Sequence, residues 1–193
     1  MIFPNRFKDR TVIVSGGGGG IGAGIVRRFL AEGARVGVVD LSTAGLVAEM
    51  RETHAERLIA VDGDCTDATV LEAFHARVVA EFGPVDILVN NVGQSGRERS
   101  APFHESNEDV WRFVMEVSLF SAMRLSRLVA AAMRERGGRI VNMSSDAAFV
   151  GDAGLTDYAA AKMGIIGFTR SLARELAPHG VEAFQRGGVG ITV

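Results

Sequence analysis

Tyr158 is the only tyrosine in the chain, and Lys162 is one of just two lysines, the other being Lys8. The segment Tyr158-Ala-Ala-Ala-Lys162 reads as helical, and residues four apart lie on one face of a helix. An ammonium group held beside a phenol favours the phenolate, which equips the phenol to pass a proton in an acid/base reaction. The same spacing would also serve a packed tyrosine beside a solvated lysine. The chemical reading therefore needs support from elsewhere in the chain.

A glycine-rich run supplies it. Ser15-Gly16-Gly17-Gly18-Gly19-Gly20-Ile21-Gly22 follows an apolar stretch and precedes a helical pattern. Residues without a Cβ let the chain turn sharply and let a pyrophosphate approach a helix N-terminus, where free N–H groups and the helix dipole favour an anion. A strand before and a helix after are the context that a dinucleotide fingerprint requires. Asp40 stands 18 positions past Gly22, at the end of the next apolar run. A carboxylate there accepts hydrogen bonds from both adenosine ribose hydroxyls and repels a 2′-phosphate. No arginine lies in the glycine loop or just after Asp40 to offset that repulsion, so NAD is expected over NADP.

The elements that must hold these groups follow from hydrophobic periodicity. Strands are expected at Thr11–Ser15, Arg35–Asp40, 58–61, 85–90 and 139–143. Helices are expected at 21–32, 43–54, Ala68–Phe82, 108–134 and 158–177, the last stopped by Pro178 and Gly180. Strands without polar alternation are buried on both faces, and strands alternating with helices indicate parallel βαβ units. With right-handed crossovers the expected fold class is α/β, a doubly wound parallel sheet of Rossmann type. Residues 1–193 show no internal repeat or linker and read as a single domain.

Composition narrows the partners. A net charge of -2 gives no electrostatic reason to expect nucleic acid or an anionic membrane. No apolar run reaches the roughly 20 residues of a membrane span, and the opening residues Met1 to Arg6 do not read as a signal peptide. A cytoplasmic protein is expected. Cys65, the single cysteine, leaves no internal disulfide and reads as a small buried residue. His54, His75, His104 and His179 lack metal-ligand spacing, so no metal site is expected. Arg97 and Arg99 read as solvated loop charges, with an acidic substrate such as an acyl-CoA as the alternative. Met115, Met123 and Met133 suit helix packing.

With these residues in place, residues 7–180 resemble the short-chain dehydrogenase/reductase family. Ser15–Gly22 is similar to its Thr-Gly-x3-Gly-x-Gly loop, with Ser15 in the threonine position and Gly16, Gly20 and Gly22 in the glycine positions. Asn90-Asn91-Val92-Gly93 resembles the motif Asn-Asn-Ala-Gly, and Asp64 matches an acid that meets the adenine. Ser145 lies 13 residues before Tyr158, and Tyr158/Lys162 match Tyr-x3-Lys. The resemblance implies hydride transfer between a nicotinamide and a secondary alcohol or ketone. It implies that Tyr158 exchanges the proton, that Lys162 lowers the phenol's affinity for it and binds the nicotinamide ribose, and that Ser145 orients the substrate oxygen. Ser15, Gly16, Gly20, Ile21, Gly22, Asp40, Asp64, Asn91, Gly93, Tyr158 and Lys162 would bind the cofactor. The segment 144–151 is similar to that of members acting on hydroxyacyl thioesters, and 3-oxoacyl-carrier-protein reductases share the general pattern. Pairing through the long helices, as a homodimer or homotetramer, is implied by resemblance alone.

Two departures stand out. Ser118 takes the place of an asparagine that supports a water in the family's proton relay; a serine can hold a water or bond its own backbone. After the last long helix, residues 181–190 do not match, and 191–193 resemble the opening of a sixth strand. The expectation is a truncated chain lacking the C-terminal strand and substrate lid, with apolar surface and pocket left open. The alternative functions are accordingly an inactive or impaired dinucleotide-binding fragment, or a regulatory subunit of a full-length partner.

Overall fold

A computed structural model describes residues 2–193; Met1, where the reading of the N-terminal stretch began, lies outside the described residues. Six strands form one sheet: β1 (Thr11–Ser15), β2 (Arg35–Asp40), β3 (Leu58–Asp62), β4 (Ile87–Asn90), β5 (Gly138–Asn142) and β6 (Ile191–Thr192). Their order is β3-β2-β1-β4-β5-β6, and every neighbouring pair is parallel. The winding direction reverses between β1 and β4, which opens a crevice at the carboxyl ends of those two strands.

The helices are α1 (Gly20–Ala31), α2 (Ala44–Met50), α3 (Ala68–Phe82), α4 (Glu108–Met115), α5 (Ser121–Arg136), α6 (Ala147–Val150) and α7 (Thr156–Gln185). Alternate strand residues feed two cores. Val12, Val14, Val36, Val38, Ile87 and Val89 pack against Val26 and Leu30 of α1 and Leu46 of α2. Ile13, Val39, Leu88 and Ile140 pack against Phe74 and Val78 of α3, Leu125 and Val129 of α5, and Leu176 of α7. Burial on both faces is why β1, β2 and β4 read as continuous apolar runs, whereas β5 exposes Val141 on one face. At the N-terminal edge the buried Glu32 accepts a backbone N–H from Phe3 and pairs with Arg28, tying the segment before β1 to the end of α1.

The structure corrects several boundaries. α2 ends at Met50, where Thr53 and His54 both donate backbone N–H groups to its carbonyl and close a turn before 54. The expected helix 108–134 is α4 and α5 joined by one turn of π-helix, Glu116–Phe120. α7 does not stop at Pro178 but continues to Gln185, burying Leu176, Gly180 and Ala183. Tertiary packing offsets the lost N–H of proline here: the added turns seat β6, and Gly180 lies against Ile191. β6 then pairs with β5 through Gly138–Ile191 and Arg139–Thr192. Met123 is 40% exposed and so does not pack as expected, whereas Met133 is fully buried.

Two glycines of α7 test this account with one chemical change. A Cβ at Gly180 would sit 2.6 Å from the backbone nitrogen of Ile191, while a Cβ at Gly167 would meet nothing within 4 Å. Gly180→Ala is expected to destabilise by about 1–3 kcal/mol through overpacking. Gly167→Ala should stabilise by roughly 0.5–1 kcal/mol through helix propensity. Urea unfolding of both variants checks the opposite signs.

Candidate active site

The glycine loop joins β1 to α1 at the crevice. Gly16 and Gly20 adopt φ of +65° and +52°, a region that favours glycine. A Cβ at Gly22 would collide with the Gly16 carbonyl, and one at Gly18 with the Ser42 carbonyl, so these positions face inward. Gly19 and Gly20 face open space. α1 starts without a side-chain cap, which leaves N–H groups of its first turn free for an anion. Ile21 is exposed beside them. The loop is braced from β4: Asn91 Nδ2 donates to the carbonyls of Ser15 (3.2 Å) and Gly16 (2.9 Å). Ser15 Oγ in turn accepts from the backbone N–H groups of Asn91 and Val92. Ser15 and the Asn91 amide nitrogen therefore shape the loop from behind.

In front of the loop lies a cleft of about 380 Å³, lined by Gly16, Asp40, Asp64, Asn91, Gly93 and also Leu41, Cys65, Thr66, Gln94 and Val117. Asp40 Oδ2 accepts the N–H of Gly18 at 2.8 Å, which ties the carboxylate to the loop. Asp64 Oδ1 accepts from both the N–H and the hydroxyl of Thr66, at 2.8 Å each, closing a turn ahead of α3. Burial, with Asp40 and Asp64 nearby, pushes the Cys65 thiol up to about 12, so it stays protonated. Open glycines, uncapped N–H groups and a carboxylate in one cleft fit a dinucleotide. The cleft residues missed from sequence are mostly nonpolar; only Thr66 carried a signal, its spacing from Asp64.

The other end of the crevice holds the tyrosine and lysine. Both ride the first two turns of α7, which pack under the loop after β4. Lys162 is 3% exposed, and its Nζ donates to the Met143 carbonyl at 2.8 Å. Nζ lies 5.9 Å from the ring centroid of the half-buried Tyr158, and a Cβ at Gly93 would come within 2.9 Å of it. A side chain at position 93 would require the amine to shift. Burial lowers the lysine from its usual 10.5 to about 8. Ser144 Oγ donates to the Lys162 carbonyl at 2.9 Å and is thereby committed to α7. Ser145 follows it in the turn after β5; its Oγ donates to Asp146 Oδ1 (3.1 Å) and accepts the N–H of Ala147 (3.2 Å). Among the described residues, the Tyr158 phenol makes no hydrogen bond, to Ser145 or to any other group.

Ser118 sits inside the π-helical turn, buried. Its hydroxyl donates to the Gln94 carbonyl and accepts the Gln94 N–H, both at 3.0 Å. Its partner is the loop that carries Gly93 over Lys162, not its own backbone. Arg97 pairs with Asp152 at 2.7 Å, and Arg99 stacks over Phe113. No group of residues suited to a metal occurs among the described residues, and no helix is long and apolar enough to cross a membrane.

The buried amine has a pH signature. With a folded value near 8 and an unfolded value near 10.5, the unfolded chain binds more protons between them, so stability rises with pH in that window. The gain is about 1.4 kcal/mol per pH unit at most and flattens below 8 and above 10.5. Denaturant titrations from pH 7 to 10.5 should show a rise that Lys162→Met lacks; parallel curves would mean that the amine is not desolvated.

Comparison with known proteins places the chain in a family. The family model described as short chain dehydrogenase covers residues 10–189. The chain is 42% identical over 178 residues to the short-chain reductase protein NovJ of Streptomyces niveus, covering 90% of this chain and 66% of that protein. It is 36% identical to 2-dehydro-3-deoxy-L-rhamnonate dehydrogenase (NAD(+)) of a Sphingomonas strain, covering 94% and 72%. It is also 36% identical to 3-oxoacyl-[acyl-carrier-protein] reductase FabG of Salmonella typhimurium, covering 91% and 70%. A solved short-chain dehydrogenase from Streptomyces avermitilis superposes with a TM-score of 0.81 at 31% identity, over 94% of this chain and 64% of that one. The chain thus spans about two thirds of the length of these relatives. By its sheet order, its braced glycine loop and its Tyr158–Lys162 pair, this chain belongs to the short-chain dehydrogenase family.

Proposed function

We propose that this chain is an oxidoreductase that moves a hydride between NAD(H) and a secondary alcohol or ketone. The observation that carries the reading is Lys162: a buried amine beside Tyr158, under Gly93, at the end of the same crevice that the glycine loop opens. When bound, the nicotinamide supplies or takes the hydride. Of the three Lys162 N–H groups, one is held by Met143, which leaves donors for the ribose hydroxyls on the cofactor side. Tyr158 hands its proton to the carbonyl oxygen during reduction and takes it back during oxidation, and the positive amine behind its ring favours the phenolate. Ser145, half-buried in the turn after β5, hydrogen-bonds the substrate oxygen where charge grows. Ser118 supports the site by holding the Gln94 backbone.

NAD rather than NADP follows from Asp40, whose carboxylate is tied to Gly18 at the ribose end of the cleft, with Asp64 lining the same cleft. A 2′-phosphate would meet negative charge with no facing arginine among the lining residues. The Sphingomonas relative carries NAD(+) in its name. A hydroxyacyl thioester is the substrate class favoured by the likeness of residues 144–151 and by the oxoacyl reductase among the relatives. Homodimer or homotetramer formation through α5 and α7 is supported by the apolar groove of Phe120, Met123, Phe168 and Leu172 between them. A cytoplasmic location remains part of this proposal.

Tyr158→Phe should reduce turnover of a 3-hydroxyacyl thioester at least about a thousand-fold, within the range of positioned acid/base groups. NADH binding, followed by fluorescence, should change less than threefold. Turnover surviving in that variant would remove Tyr158 from the chemistry, and binding without turnover in the wild type would leave a dinucleotide-binding protein. For the cofactor, NADH should bind at least tenfold more tightly than NADPH, and Asp40→Ala should narrow that gap. Equal affinities in the wild type would overturn the assignment.

A further inference from the structure

The end of β5 is fastened to α7 three times by three consecutive residues. Asn142 Nδ2 donates to Thr169 Oγ1 at 2.9 Å, the Met143 carbonyl accepts from Lys162 Nζ at 2.8 Å, and Ser144 Oγ donates to the Lys162 carbonyl at 2.9 Å. The next residue is Ser145. Lys162 and Thr169 are seven residues apart on α7, so they share a face two turns apart. A helix bound at two levels to one short segment cannot slide along its axis or turn about it without breaking both.

The lower fastening is itself anchored. Asn142 Oδ1 accepts from Asn90 Nδ2 at 2.8 Å, and that nitrogen also donates to Ser126 Oγ of α5 at 3.0 Å. Asn90 is the last residue of β4 and Asn142 the last of β5, paired in register. The chain Ser126–Asn90–Asn142–Thr169 therefore crosses from α5 through two strand ends to α7. Its members have no place in the proton-transfer chemistry and line no part of the cofactor cleft.

We propose that Asn142 and Thr169 are positioning residues for the Tyr158–Lys162 site, setting the axial register of α7 against the end of β5 and hence against Ser145. The inference rests on the proposed catalytic reading for its effect on turnover, but its structural half stands apart from that reading. Losing the lower fastening leaves the polar ties between the end of β5 and α7 at the level of Lys162 alone, one of them from a flexible side chain, with apolar packing of Ile165 and Leu176 that does not fix an axial register. A helix rises about 1.5 Å per residue. A fraction of that rise is enough to misplace a reacting group by the ~1 Å that costs about a hundredfold in rate.

Thr169→Val removes the hydroxyl at nearly constant volume, and Thr169→Ser restores it. The two lysines of the chain make a direct readout possible: with ¹³C-labelled lysine, the ε-carbon of Lys162 is read beside that of Lys8. In Thr169→Val the Lys162 signal should move toward that of Lys8 while Lys8 stays fixed, and in Thr169→Ser it should return. Turnover should fall at least tenfold in the valine variant with NADH affinity changed less than threefold, and serine should rescue it. An unshifted Lys162 signal in a folded Thr169→Val protein overturns the proposal, whatever the activity. If valine prevents folding, Asn142→Ser provides the same comparison with the hydroxyl of Thr169 intact. A wild type without turnover would defeat the catalytic reading alone, because the lysine signal still decides the positioning role.

Discussion

Placing the amine of Lys162 out of water is the constraint around which the carboxyl end of this sheet is built. A buried ammonium is costly unless its protons are taken up, and one donor is satisfied by the Met143 carbonyl. A glycine at position 93 lets the amine sit there undisplaced. That glycine is held over the amine because Ser118 grips both polar groups of the next residue, Gln94. The π-helical turn between α4 and α5 is where Ser118 sits, in line with the habit of such bulges to occur at functional positions. A local irregularity, a small residue and a lone carbonyl thus serve one charge.

The cofactor end follows a different logic. Its glycine loop carries almost no side chains of its own, so its shape is imposed from neighbouring strands. Asn91 and Ser15 brace it from β4 and β1, and Asp40 ties Gly18 from the end of β2. Three adjacent parallel strands, ending at one level, are what make such bracing possible. A sheet whose order reversed elsewhere would bring these residues to different edges.

Much of this was legible along the chain. The apolar runs at Thr11–Ser15 and Arg35–Asp40 are buried on both faces, so their composition alone marks them. Tyr158/Lys162 were legible because helical spacing is a local property. Pro178 misled because local propensity disfavours proline within a helix, whereas packing of Gly180 against Ile191 repays the continuation. The contact of Ser118 was not legible because its partner, Gln94, is 24 positions away and chosen by the fold. Thr169 was not legible, since nothing in a helix-interior threonine points to an asparagine 27 positions earlier.

By itself the sequence determined the alternation of strand and helix, the glycine loop, the acid after the second strand and the paired tyrosine and lysine. Each depends on residue type and on spacing within one element, which the chain carries without reference to its neighbours. Only the tertiary structure decided the partners of two neighbouring hydroxyls, the Lys162 carbonyl for Ser144 and Asp146 with Ala147 for Ser145. Only it decided that Lys162 lies dry under Gly93, and that Asn90, Asn142 and Thr169 join into one chain. These are contacts between distant segments, and their energies depend on burial that exists only once the sheet has assembled.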